Sequence, residues 1–150
     1  LSAALTVAEV RGRISASLVA LGLVESTWVP EAFGLDPSST LHRGFSVSAP
    51  ASSVQSWDTR GRGPPPTEGA ARSTFRVRMA HQVKGDAARS SYDAALDLEH
   101  SVLQGMLALD PNYLRILAPF PIARSVSPDG RWLLIAIDMV IEHRFALVAP

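Results

Sequence analysis

The chain has no cysteine among its 150 residues. That absence removes disulfide staples, thiolate zinc sites and cysteine nucleophiles from consideration, and leaves a cytoplasmic place of synthesis open. Net charge is missing too: 14 basic residues balance 14 acidic ones. No global field therefore draws the protein onto nucleic acid or an anionic membrane, although local basic patches remain open. No apolar run approaches the roughly 18 residues of a membrane-spanning helix, so no membrane partner is expected. The first residues, LSAALTVAEV, lack the basic region, apolar core and small-residue cleavage site of a secretory signal. Catalytic fingerprints are absent as well. There is no nucleophile elbow, phosphate loop or dinucleotide motif, and Gly61-Arg62-Gly63 runs into prolines instead of opening a helix.

What is present is an ordinary globular composition, 47% hydrophobic and 19% charged, long enough to bury one core. The dominant stretch is the last. IARSVS, then Pro128-Asp129-Gly130, then RWLLIAIDMVIEHRFAL reads as strand, turn, strand. In the second arm Leu133, Ile135, Ile137, Met139, Ile141, His143 and Phe145 alternate with Trp132, Leu134, Ala136, Asp138, Val140, Glu142 and Arg144. Such a period of two predicts a strand with one buried and one mixed face.

Upstream, Leu5–Gly22 predicts a helix. Thr6 and Glu9 form a capping box, Leu5 and Val10 a hydrophobic staple, and Gly22 a stop. Its apolar face is Val7, Val10, Ile14, Leu18 and Leu21, with Arg11 and Arg13 on the wet side. Residues 23–40 read as a connector packing its aromatics at the margin of the core. Leu41–Ser48 reads as a short strand closed by Pro50, and residues 49–73 as a long Pro/Gly/Ser-rich loop. Thr74–Val83 alternates as a strand and turns through Lys84-Gly85-Asp86 into a helix over Ala87–Leu109. That helix has a face of Ala95, Leu98, Val102, Met106 and Leu109, widened by Leu96, Leu103 and Leu107. Tyr113–Leu117 is a short strand or an extended entry to the hairpin. The expected fold is α+β, one domain over 1–150: a mainly antiparallel four-stranded sheet, two helices on one face, and the long loop between the first two strands.

Chemistry-bearing groups are sparse. His42, His81, His100 and His143 form no His-x-x-x-His pair, and a metal shared by His81 and His143 needs both on adjacent strands facing one way. Glu99, on the apolar arc of the second helix, is expected to pair with Arg76 or Arg78, and Asp138 to face solvent or a neighbouring subunit. No catalytic, cofactor-binding or metal residue is assigned. Trp57, Arg60 and Arg62 on the long loop suit nucleic acid, an acidic partner, or plain loop solubility. Trp132, Leu134, Ala136 and Val140 leave the face away from the helices too apolar to stand bare, so the loop or another subunit must cover it, and subunit contacts are favoured.

The order of these elements resembles the tail terminator proteins of long-tailed bacteriophages and the related tail-completion and neck proteins. The likeness rests on the opening helix Leu5–Gly22, the short strand at Phe45–Val47, FRVRMAHQV feeding SYDAALDLEHSVL, and the closing strand Trp132–Phe145. It spans nearly the whole chain but is one of texture, with no catalytic signature, and the proline-rich loop departs from it. The resemblance implies a non-enzymatic virion protein without cofactor. It would form a hexameric ring capping the tail tube, contact the tube protein and the head-tail connector or stopper, and let DNA pass through its lumen without sequence-specific binding. It would be assembled in the host cytoplasm and reside in the tail or neck. Trp57, Arg60, Arg62, Trp132, Leu134 and Val140 are then candidate subunit or partner contacts. Another neck, baseplate or head-completion component, or a small ligand-binding or enzymatic α+β domain, are the alternatives.

Overall fold

A computed structural model describes residues 4–27, 29–33, 40–56, 68–109, 114–117 and 120–146. Helix α1 spans Val7–Ala20. Its amino end is fixed by the expected capping box, with the Glu9 amide donating to Thr6 Oγ1 and the Thr6 amide to Glu9 Oε2. Its carboxyl end closes as a Schellman motif. Gly22, at φ 85°, donates to Val19, and Leu23 donates to Leu18, while both leucines enter the core. The left-handed φ is the reason a glycine stands there.

The sheet comprises β1 (Val24–Glu25), β2 (Gly44–Ser56), β3 (Glu68–Gln82), β4 (Leu114–Leu117), β5 (Ile122–Val126) and β6 (Trp132–Ala146). Along the sheet the order is β1-β2-β3-β6-β4, with β5 also on β6. All pairs are antiparallel except β1 with β2. Among the described residues six strands thus replace the expected four. The two additions are short: β1 is held by amide bonds from Val24 to Arg43 and from Ser26 to Phe45, and β4 lies in line with β5 along the same edge of β6. The strand alternative for Tyr113–Leu117 holds at Leu114–Leu117, whereas the two residues of β1 carry too little alternation to stand out in a sequence.

The second correction concerns the loop. Strand β2 does not stop at Pro50; it runs to Ser56, and β3 begins at Glu68, so much of the expected 49–73 loop is hairpin. Register shifts between Ser48 and Ala51 place Ala49 and Pro50 in a bulge. Proline lacks the amide that a ladder needs, and a bulge tolerates that loss. The joining residues 57–67 lie outside the described residues.

Helix α2 (Ala88–Leu107) follows β3 through one 3-10 turn at Gly85–Ala87. Both helices cover one face of the sheet, burying Phe45, Val47, Phe75, Val77, Met79 and the odd-numbered residues of β6 from Leu133 to Ile141 in a continuous core. Two helix assignments shift. Leu107 is 66% exposed, not core-widening. Arg11 is half-buried and clamps the strands, donating to the Val47 carbonyl at 2.7 Å and to Glu25 at 2.6 Å.

Candidate functional site

The antiparallel register fixes which side chains share the face away from the helices. Arg76 lies opposite Asp138, Arg78 opposite Ala136, Ala80 opposite Leu134, Thr74 opposite Val140 and Arg72 opposite Glu142. On the far edge Arg115 lies opposite Glu142, and Ala123 opposite Ala136. Trp132, Leu134 and Val140 therefore occupy the expected face, each half-buried. Asp138 is ion-paired within the chain: Arg76 meets it with two bonds of 2.7 and 3.1 Å. The nearby carboxylate holds the Arg76 guanidinium above its ordinary pKa, chiefly through the hydrogen bond. Arg72 reaches Glu142 at 3.2 Å.

Cover for this face comes from an unexpected segment. The connector after β1 crosses it rather than resting at the core's margin. The Pro30 carbonyl accepts from Ser46 Oγ, and the Glu31 carbonyl accepts from Arg78 at a long 3.4 Å. Beside it, Phe33, Arg78, Leu134, Ala136, Ala123 and Ser125 frame an open groove of about 270 Å³. Trp57, Arg60 and Arg62 lie outside the described residues.

On the helix-covered face three polar groups from separate strands come together. Ser52, Ser73 and His143 form a relay across β2, β3 and β6. The hydroxyls lie 2.8 Å apart, Ser73 Oγ is 2.9 Å from His143 Nε2, and His143 Nδ1 is 3.0 Å from the Leu5 carbonyl. A carbonyl only accepts, so Nδ1 carries the proton and Nε2 accepts from Ser73. The pair has the spacing of a serine–histidine nucleophile. Ser73 is nevertheless 0% exposed and His143 3%, so no substrate reaches the hydroxyl. The relay satisfies buried polar groups and ties the segment before α1 to the sheet, beside the bond from the Leu5 amide to the Arg144 carbonyl.

His81 shares the face of His143, but the two are separated along β6: His81 lies opposite Leu133, whereas His143 lies opposite Ala71. They cannot share a metal. His81 instead stacks edge-on against His42, ring centroids 4.5 Å apart. His42 Nδ1 accepts the Gln82 amide, and His81 Nδ1 faces the Gln82 carbonyl. His42 accordingly carries its proton on Nε2, which is thereby unfit as a metal ligand. Burial depresses the pKa of both rings, aided at His42 by His81, Arg43 and Lys84 and at His81 by Arg43. Among the described residues no group of three or more His, Asp or Glu could hold a metal ion.

Glu99 pairs with neither Arg76 nor Arg78, whose side chains project from the opposite face. Its partner is Arg124 of β5, at 2.7 and 2.5 Å. The register puts Arg124 opposite Ile135, on the helix side, which the sequence did not reveal.

These features define a two-layer α+β protein with helices on one side of its sheet and a mixed, arginine-bearing surface on the other. No protein-family model matches the chain, and no curated protein matches it.

Proposed function

We propose that this is a structural virion protein, a tail terminator that assembles into a six-fold ring, caps the phage tail tube and presents the surface on which the head-tail connector docks. DNA passes through the lumen without sequence-specific contacts, and the protein performs no catalysis. The observation carrying the reading is the helix-free face of the sheet, where Trp132, Leu134 and Val140 lie half-buried among arginines. The connector from Pro30 to Phe33 crosses part of this surface; what remains of it suits a ring subunit, which needs two different adhesive surfaces for its head-to-tail contacts. The order of elements supports the same reading: opening helix, β2–β3 hairpin, a short step from Gln82 to Ala88, and a 15-residue closing strand.

Light scattering and negative-stain imaging of the purified protein test it. Closed rings of six subunits are expected. A monomer at tens of micromolar, with a melting temperature raised by a small ligand, would overturn the assignment.

A further inference from the structure

The helix-free face of the sheet and the outward side of α2 carry opposite charge although the chain as a whole carries none. On the helix-free face of the sheet stand Arg72, Arg76 and Arg78 of β3, Arg115 of β4 and Arg144 of β6. Asp138, Glu142 and, by its register opposite Ala146, Glu68 are the acidic residues of those strands on the same face, leaving an excess of two positive charges, or one with Glu31 of the crossing connector. The outward side of α2 presents Asp93 and Asp97, one turn apart and exposed. Arg89 and Asp86, at its amino end, offset one another.

Apolar groups accompany the charges on both surfaces. Beside Asp93 and Asp97, one flank of α2 carries Tyr92 at 42% exposure, Leu107 at 66%, and the half-buried Leu96 and Leu103. Solvated helix faces are normally polar. On the sheet, Trp132, Leu134 and Val140 lie on β6 alongside the arginine-bearing strand β3. Interface cores favour arginine and aromatic groups around an apolar centre, with charge of one sign meeting the other.

We propose that the partner of the helix-free face is a second copy of this chain, whose α2 docks on it through Asp93 and Asp97. The inference rests on the ring reading and deepens it, by naming which surface of one subunit meets which surface of the next. The two surfaces differ and belong to opposite layers, so the contact is head-to-tail and forms a ring when the rotation between neighbours closes.

Charge reversal tests the contact. Asp93→Arg/Asp97→Arg alters only exposed positions, whereas Arg78→Glu/Arg115→Glu gives up the Arg78 bond to the Glu31 carbonyl and sets a carboxylate opposite Glu142, so each double variant is first shown by circular dichroism and thermal denaturation to be folded at the assay temperature. At a concentration where the wild type is a ring, each variant alone is expected to lose the ring and run as a subunit. An equimolar mixture is expected to recover it, because the reversed helix of one variant matches the reversed sheet of the other. Both variants assembling like the wild type would overturn this contact and leave the ring reading standing; so would a mixture that stays dissociated. A wild type that never assembles overturns both. Retention of duplex DNA by the wild type, lost in Arg78→Glu/Arg115→Glu with rings intact, would reassign the arginine face to a polyanion and overturn the contact.

Discussion

At the residue scale, the polar groups inside and beside the core are explained by one another. His42 and His81 are the pair with a measurable consequence. Burial, first, and the neighbouring cations hold both folded-state pKa values below the ordinary 6.5. The unfolded chain therefore binds more protons than the folded one as pH falls through 6.5, and stability drains away from there down to the folded pKa values. Protonation of His42 also removes the acceptor that the Gln82 amide uses. The urea midpoint is expected to be level near pH 7.5 and to fall by pH 5.5, with the slope flattened in His42→Gln/His81→Gln. An unchanged slope in that variant would assign the pH dependence elsewhere. Neither the His42–His81 contact nor the relay through Ser73 and His143 was legible in the sequence, since each joins residues far apart along the chain. Alternation correctly put His81 and His143 on the helix side; only the register showed that they are too far apart to act together.

At the scale of elements, the long periodic segments were legible, β5 and the short strand offered at Tyr113–Leu117 were legible beside them, and the two-residue β1 was not. Helix α1 with its capping box, helix α2, β3 and β6 each repeat a pattern often enough to be recognised. Strand β2 hid half its length because Pro50 and a serine-rich run imitate a loop, while the bulge at Ala49–Pro50 lets the strand continue. The α2–β5 clamp was half legible: the apolar arc of α2 announced that Glu99 is buried, and it is 5% exposed, but β5 offered no alternation that would place Arg124. Its energetics are asymmetric. Removing the arginine leaves a carboxylate in the core margin with its charge unpaired, whereas neutralising the glutamate releases an arginine that is already 40% exposed into water. Arg124→Ala is therefore expected to lower the melting temperature more than Glu99→Gln does. Thermal denaturation at pH 7.5 reads the difference, and the reverse ranking would mean that the clamp is not what holds α2 over β5.

At the scale of the whole molecule, one strand serves two environments. The odd-numbered positions of β6 close the core, and the even-numbered ones face the side without helices. The sequence showed this division; it did not show that the connector from Pro30 to Phe33 crosses part of the second face, because that segment has no periodicity to reveal its path. The two faces should answer differently to mutation. Ile137 is 0% exposed and sits in the middle of the core, so Ile137→Ala removes well-packed volume and costs about 2–5 kcal/mol. Val140, three residues on, is half-buried on the other face, where Val140→Lys can extend its amine to water and change monomer stability by under about 1 kcal/mol. Assembly inverts the ranking. Lysine at 140 adds a cation to a surface already in positive excess and interrupts the apolar patch that a neighbouring α2 would cover, whereas alanine at 137 touches no outer surface. Paired measurements of denaturation midpoint and particle size should therefore separate the variants: Ile137→Ala less stable but ring-forming where it is folded, Val140→Lys stable but dissociated. If Val140→Lys were stable and still ring-forming, the face would be ordinary solvated sheet, and the ring would have to be built through the edges of the sandwich instead.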